Sequence, residues 1–303
     1  MHPSLLAVGN TDGTLALYDV RKHGNSPALR TTVSNEQHTG TIWEVKWVEK
    51  AKERSGSESL ISISADGHVM EWSIKKGLER TRSLMRLKRQ QSANGQGASA
   101  YQKNQGKEAL LARQSGGMCF DVNWEDTLTY VVGTEDGTVH RCTKSQNENF
   151  LLDYAPHAEP VYRVRWSPFN YEYFITCSAD WTSRLYHWDR SDYLHKFDSS
   201  RQDAVHDVCW SPRNCTIFGA ATAQGNVDIW DLADPLQPKA NLKLENRSLN
   251  CLLFAEQDSP LLTVGDNDGD VTVIKLSGSE FESSGLDAQQ QSERFSQVVQ
   301  KIT

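Results

Sequence analysis

No stretch of this 303-residue chain approaches the roughly 18 consecutive apolar residues of a membrane-spanning helix. The opening Met1-His2-Pro3-Ser4-Leu5-Leu6 lacks the charged region and long apolar segment of a signal peptide. Positive charge is also in deficit: the net charge is −7, which argues against a general nucleic-acid binder. The six cysteines form no Cys-x-x-Cys pair, so the ligand spacing of a zinc site is absent. Cys119, Cys177, Cys209 and Cys251 lie in strand-like apolar runs and read as reduced, buried thiols. There is no glycine-rich phosphate loop, and no cofactor is expected.

What the chain does have is a repeat. One short turn recurs as Asn10-Thr11-Asp12-Gly13, Ser64-Ala65-Asp66-Gly67, Thr134-Glu135-Asp136-Gly137, Ser178-Ala179-Asp180-Trp181, Thr222-Ala223-Gln224-Gly225 and Asp266-Asn267-Asp268-Gly269. The last three intervals are 44 residues each; the earlier ones, 54 and 70, are the same period plus insertions. A period of about 40–45 residues with four short strands per unit is the signature of a WD-repeat β-propeller. The expected fold is therefore all-β over residues 1–276: five complete blades and a partial first blade, a fragment of a seven-bladed ring. Residues 5–20 supply only two strands of a repeat, so the preceding strand is expected from upstream sequence or a partner. A linker over 277–285 leads to a short C-terminal helix, with Phe295, Val298, Val299 and Ile302 at i, i+3, i+4 and i+7. That helix either docks a neighbouring chain or lies on its own propeller.

His38, Asp66 and Trp72, with Ser62 or Ser64, have the types and order of the hydrogen-bonded tetrad that ties the strands of a WD blade. His157, Ser178 and Asp180 repeat the pattern. A His with an Asp and a Ser also suggests a hydrolase, but the same pieces recur at structural positions in successive blades, so the expectation is a structural network and no enzyme. Elsewhere the network is broken: Cys142 and Ile274 stand where Trp72 stood, and Gln224 replaces the Asp. In the Asp180 blade either Tyr186 takes the indole's place or a bulge brings Trp188 in.

Two features suggest a protein partner. The residue four before each inner-strand aromatic is Trp43, Phe120, Tyr162, His206 and Asn250 in successive blades; equivalent places on equivalent blades should ring one end of the channel, mixing aromatic and polar groups as interfaces do. The other is charge. Residues 75–113, which overlap a low-complexity insertion over 90–115, carry a formal +8 and leave −15 for the remainder. The strip fits an acidic partner such as a tubulin surface, or a solvated outer strand with a flexible loop.

At Ser178-Ala179-Asp180-Trp181-Thr182 the chain resembles the WD-repeat half of dynein intermediate chains, particularly axonemal ones. The blade before it is similar too, through Gly133-Thr134-Glu135-Asp136-Gly137, His140-Arg141-Cys142 and Lys144-Ser145. Further matches are Leu6-Ala7-Val8-Gly9 with Asp12-Gly13, Ile42-Trp43-Glu44-Val45-Lys46-Trp47, Ser64-Ala65-Asp66-Gly67 with Trp72, and Val264-Gly265-Asp266 with Gly269. The resemblance covers residues 5–276; the segment by which such chains bind light chains is not among them. It implies a non-catalytic scaffold that assembles a motor and attaches it to a microtubule or docking site in a cilium or flagellum. The implied partners are a dynein heavy chain, other intermediate and light chains, and axonemal docking proteins or tubulin, with neither nucleic acid nor membrane. Trp181 joins the ring residues as a candidate anchor. The competing readings are a cytoplasmic dynein intermediate chain and a generic WD-repeat adaptor, such as a ubiquitin-ligase substrate receptor.

Overall fold

The computed structural model describes residues 4–31, 37–49, 58–75, 77–89, 114–244, 247–256, 260–278, 281 and 285–302. They form six antiparallel sheets and one helix. Sheet one comprises β1 (Leu5–Gly9), β2 (Leu15–Asp19) and β3 (Leu29–Arg30). Sheet two comprises β4 (Ile42–Glu49), β5 (Glu58–Ser64), β6 (His68–Ser73) and β7 (Glu79–Arg86). Sheet three comprises β8 (Gly117–Val122), β9 (Thr129–Thr134), β10 (Val139–Thr143) and β11 (Leu152–Tyr154). Sheet four comprises β12 (Val161–Trp166), β13 (Tyr173–Ser178), β14 (Thr182–His187) and β15 (Tyr193–Asp198). Sheet five comprises β16 (Val205–Trp210), β17 (Ile217–Thr222), β18 (Asn226–Asp231) and β19 (Ala240–Lys243). Sheet six comprises β20 (Leu249–Phe254), β21 (Leu261–Asp266) and β22 (Val271–Lys275), and α1 spans Ala288–Ile302.

This is the β-propeller class expected from the repeat. Four sheets rather than five are four-stranded among the described residues; the first and last have three strands. The first sheet gains β3, which the repeat pattern does not show. Two residues of weak pairing leave no periodic signal to read. The chain divides into two compact units. The first holds 1–119, 134–136 and 142–150; the second holds 120–133, 137–141 and 151–303.

The second strands show why the sheets stack. β9 (TYVVGT) and β17 (IFGAAT) are buried at every position. Strands covered on both faces carry near-continuous apolar or small residues, whereas a half-solvated strand alternates. In the first unit Leu15 and Leu17 of β2 pack with Ile42, Leu60, Met70 and Trp72 of sheet two. In the second, Ile217, Val227 and Ile229 of sheet five meet Leu252, Phe254, Leu262 and Val264 of sheet six.

Polar contacts fix how neighbouring sheets sit within the second unit. The Trp166 indole donates to the Asp121 carbonyl at 3.2 Å, and the Asp121 carboxylate accepts the Trp166 backbone N–H at 2.9 Å. One sheet later the Trp210 indole donates to the Arg165 carbonyl at 3.1 Å. Arg163 donates to Asp207 at 2.9 Å, and Asp207 accepts the Leu252 N–H at 2.8 Å. Each contact joins inner strands of consecutive sheets.

Helix α1 lies on its own unit, which decides between the two placements that its apolar stripe allows. Asp287 caps it: its carboxylate accepts the Gln290 N–H at 2.8 Å and the Gln290 side chain accepts the Asp287 N–H at 3.2 Å, a reciprocal capping box. Phe295 and Val299 are buried in the core of sheets four and five, with Phe295 against Tyr173 and Trp210 at ring separations of 5.2 and 5.9 Å. Gln291 bridges the Cys215 N–H and the Arg213 carbonyl, satisfying backbone groups of the β16–β17 loop. Val298 and Ile302, the other members of the apolar stripe, are partly buried against the same core. Since Phe295 is wholly enclosed, Phe295→Ala should lower stability by about 3 kcal/mol, read as the urea midpoint of the purified chain.

Candidate protein-interaction surface

The geometry of the tetrads settles what the His–Asp pairs do. In sheet two the Trp72 indole donates to Ser62 Oγ at 2.7 Å, and Ser62 Oγ lies 2.7 Å from His38 Nε2. His38 Nδ1 stands 3.1 Å from Asp66. A carboxylate only accepts, so Nδ1 carries the proton, Nε2 is the acceptor and Ser62 donates to it. The chain of donors runs one way, from indole to hydroxyl to imidazole to carboxylate. Ser62 therefore fills the hydroxyl place, and Ser64 does not. Ser64 lies next to the turn, where it donates to the Gly40 carbonyl and accepts the Asp66 N–H.

Sheet four repeats the arrangement with one exchange. His157 Nδ1 is 2.9 Å from Asp180, and Nε2 is 2.7 Å from Thr176 Oγ1. Ser178, like Ser64, donates instead to a loop carbonyl, that of Glu159. Tyr186 pairs with Phe174 just as Trp72 pairs with Leu60, so it takes the indole's place; its hydroxyl donates to the Ala155 carbonyl at 2.8 Å. Burial pushes that phenol up to about 12. Trp188 lies beyond β14, beneath the Arg141 guanidinium at 4.9 Å. His38, Ser62, His157 and Thr176 are all buried, three of them with no exposure, so no substrate reaches either constellation.

Burial is the largest single influence on the Asp66 and Asp180 carboxyls and works to raise them. The hydrogen bonds and positive charge of their histidines, together with further hydrogen bonds from Thr182 and from the Thr39 and Ala158 N–H groups, jointly outweigh it and hold both well below the usual range. Burial lowers His157, outweighing the attraction of Asp180. A histidine depressed in the folded state contributes stability above the unfolded value of 6.5 and loses it as pH falls through the folded one. The two carboxylates follow only below 3.8. Urea midpoints should therefore fall between pH 7 and pH 5 and drop again below about pH 4. His157→Gln should start lower and show a smaller upper step, the remainder coming from His187 and His195, which burial also lowers.

The residues assigned to the ring share a local feature. Register shifts interrupt β4 between Ile42 and Glu44, β12 between Val161 and Arg163, β16 between Val205 and Asp207, and β20 between Leu249 and Cys251. The skipped residues are Trp43, Tyr162, His206 and Asn250. A bulge inserts one residue without a partner and re-aims its side chain. Trp43 is 51% exposed and Asn250 is exposed; Tyr162 and His206 are half-buried and meet edge to face at 5.3 Å. His206 Nδ1 lies 2.8 Å from the Leu249 carbonyl and donates to it.

Phe120 does not belong to this set; it is buried without exposure. The Glu135 N–H bonds to the Gly116 carbonyl as the Ala179 N–H bonds to that of Pro160, so Met118 stands where Tyr162 stands. Counting back from Trp124 reaches the wrong residue because Trp124 lies past the end of β8. Counting back from Asp136 at the spacing that separates Val161 from Asp180 places the strand start at Gly117 and finds Met118. Cys251 is a second correction: it is exposed, on the uncovered face of sheet six, while the other strand cysteines are buried or half-buried.

Among the described residues of the basic strip, Arg82, Lys88 and Arg89 are engaged by their own unit. Arg82 pairs with Glu71 at 2.6 Å, Arg89 reaches Asp136 and Glu135, and Lys88 donates to the Glu148 carbonyl at 3.2 Å. The insertion over 90–113, with Lys103, Lys107 and Arg113, lies outside the described residues, as does Lys76.

Trp181 is the most unusual residue of the surface. The five turn glycines have φ between +74° and +89°, and Trp181 adopts the same left-handed conformation at +69° with half of its surface exposed. An added Cβ at Gly137 would lie 2.5 Å from the His157 carbonyl. At Trp181 the following loop makes room: the bond from the Ser199 N–H to the Trp181 carbonyl precedes Val205 by six residues, whereas His157 precedes Val161 by four. Left-handed backbone costs a residue with a Cβ roughly 1–2 kcal/mol. Trp181→Gly should therefore raise stability by about 1 kcal/mol in urea unfolding while weakening capture of a partner that uses the indole. A loss of stability instead would mean that Trp181 serves packing.

No family profile matches the chain. It is similar to dynein axonemal intermediate chain 4 of Rattus norvegicus, with 41% identity over 90% of this chain and 34% of that protein. Dynein intermediate chain 2, ciliary, of Heliocidaris crassispina is 31% identical over 91% of this chain and 38% of its own length. The 78 kDa dynein intermediate chain of the flagellar outer arm of Chlamydomonas reinhardtii is 30% identical over 91% and 40%. The chain thus spans about a third of the length of these curated relatives. Among solved structures, the computationally designed Ika8 protein superposes with a TM-score of 0.59 over 90% of this chain and 68% of its own, at 17% identity, which speaks to fold alone.

Proposed function

We propose that this chain, whose curated homologues are named axonemal dynein intermediate chains, is the repeat-bearing part of such an intermediate chain and acts as a non-catalytic scaffold. It assembles the motor by gripping a dynein heavy-chain tail and fastens it to a docking site in the axoneme of a cilium or flagellum. The observation that carries this reading is Trp181. An indole held at φ +69° costs backbone stability and still leaves half of its surface exposed, as a residue kept for something that binds it would. In the second unit the turn lies beside the bulge of β12, because the Ala179 N–H bonds to the Pro160 carbonyl. Tyr162 and His206 therefore extend the same surface.

The buried tetrads support a scaffold over a hydrolase, since their hydroxyls and imidazoles are engaged with one another. The test is capture of a recombinant heavy-chain tail from an axonemal dynein by the immobilised chain. Tyr162→Ala combined with His206→Ala should lower capture roughly tenfold or more, with near-ultraviolet circular dichroism unchanged. Full capture by that double variant and by Trp181→Gly would place the partner elsewhere and remove this surface from the function.

A further inference from the structure

Trp124 belongs neither to the tetrads nor to the surface around Trp181, although the sequence marks it as an inner-strand aromatic. It stands two residues past the end of β8, 48% exposed, on a loop built to hold it. Buried Asn123 accepts the N–H groups of Glu125 and Asp126 and donates to the Tyr171 carbonyl at 2.9 Å. The Trp124 indole donates to the Ser167 carbonyl at 2.9 Å. Its ring meets that of Tyr171 edge to face at 6.1 Å, and Tyr171 is itself 39% exposed. On the other side Asn170 donates to Ser296 of α1 at 3.1 Å. The aromatic pair is thus fixed before anything binds, which spares a ligand the ordering cost.

Beside the pair runs an open groove of about 600 Å³ within the second unit. Pro168 and Phe169 contribute apolar lining, and the first turns of α1 form the far wall. Among the described residues its charged lining is Glu125 and Glu172, with no lysine or arginine. The N-terminal end of α1 does not reverse this sign, because the Asp287 carboxylate caps it. A groove with two exposed aromatic rings, an apolar lining and carboxylates matches a ligand of the opposite kind. Arginine suits both parts: its guanidinium stacks on indole or phenol faces and pairs with carboxylates.

We propose that this groove is a second docking site, separate from the surface around Trp181, and that it takes an extended basic segment of another protein carrying one aromatic or branched aliphatic anchor between arginines. Charge complementarity selects this occupant over an acidic segment, and the anchor fills the apolar lining while arginines lie over Trp124 and Tyr171. The proposal does not depend on the dynein reading, because its residues and its test are different.

The test uses the full chain and a fluorescein-labelled peptide, Ala-Arg-Arg-Ala-Phe-Ala-Arg-Arg-Ala, with anisotropy as readout. Two control peptides replace every Arg with Glu or the Phe with Ala. The basic peptide should bind with a dissociation constant on the order of tens of micromolar and weaken as salt rises. Both controls should bind at least tenfold more weakly. Trp124→Ala should cost tenfold or more. Glu125→Lys with Glu172→Lys should cost as much and should now admit the acidic peptide; this variant retains the Trp124 and Asn123 hydrogen bonds, so its effect is not one of packing. Trp181→Gly should bind normally. Equal binding of the acidic peptide to the unaltered chain, or unaltered binding by both groove variants, would overturn the proposal. So would self-association of the chain, measured by sedimentation equilibrium, that the charge-reversal pair abolishes, because the groove would then belong to a second copy.

Discussion

The structure depends on sheets that are apolar on both faces. A strand such as β17, with no polar face to offer water, is stable only between two neighbours, and this makes stacking obligatory. Stacking by apolar area alone would let the sheets slide. What prevents sliding is the row of bonds from inner strand to inner strand: indoles of Trp166 and Trp210 on backbone carbonyls, and carboxylates of Asp121 and Asp207 on backbone N–H groups. These groups lie where water is scarce, so each unmade bond would leave a buried donor or acceptor unsatisfied, at about 1–3 kcal/mol. The penalty for misregister is what sets the register.

The tetrads play a different part. They do not join neighbouring sheets but tie a loop to the strands of its own sheet. Where the parts survive, as in sheets two and four, a buried histidine holds the entry to the inner strand against the turn between the second and third strands. In sheet five Asp203 does related work from the loop side, accepting the N–H of Gln224 at 2.5 Å. The sequence substitution of Gln224 for the carboxylate thus moves the acceptor to the other partner without abolishing the contact. Loop entry and turn stay adjacent in each of these sheets, and for that reason the bulge residue and the turn residue of one sheet lie side by side.

Much of this was legible in the sequence, and the failures have a common physical origin. The turn spacing gave the repeat, and the helical period gave α1. Hydrogen-bond partners closer than one residue pair were not legible: Ser62 and Ser64 lie on the same side of β5, as do Thr176 and Ser178 on β13, and only the reach of a tilted indole or imidazole distinguishes them. Phe120 was misplaced because Trp124 resembles the aromatic that ends the other inner strands, while β8 stops two residues earlier. Bulges carry no composition signal, so the re-aimed side chains of Trp43 and Tyr162 were found by their spacing and not by the feature that exposes them. Whether α1 served itself or a neighbour could not be read from its stripe, since either surface would bury Phe295 and Val299.

In sheet six the stacking is one-sided. Its inner face meets sheet five, but Leu253, Val271 and Val273 on the other face are 62%, 68% and 60% exposed, and β22 alternates between exposed and half-buried. In a stack where each layer is held by its immediate neighbours, stability is close to a sum of nearest-neighbour terms, and a layer with one neighbour has roughly half the holding energy. Local opening therefore starts at this end of the second unit and moves inward, and amide exchange should be graded from β22 toward β13. Among the described residues β22 has no outer partner strand, so its exposed valines and that edge form the place in the second unit where a foreign strand would add.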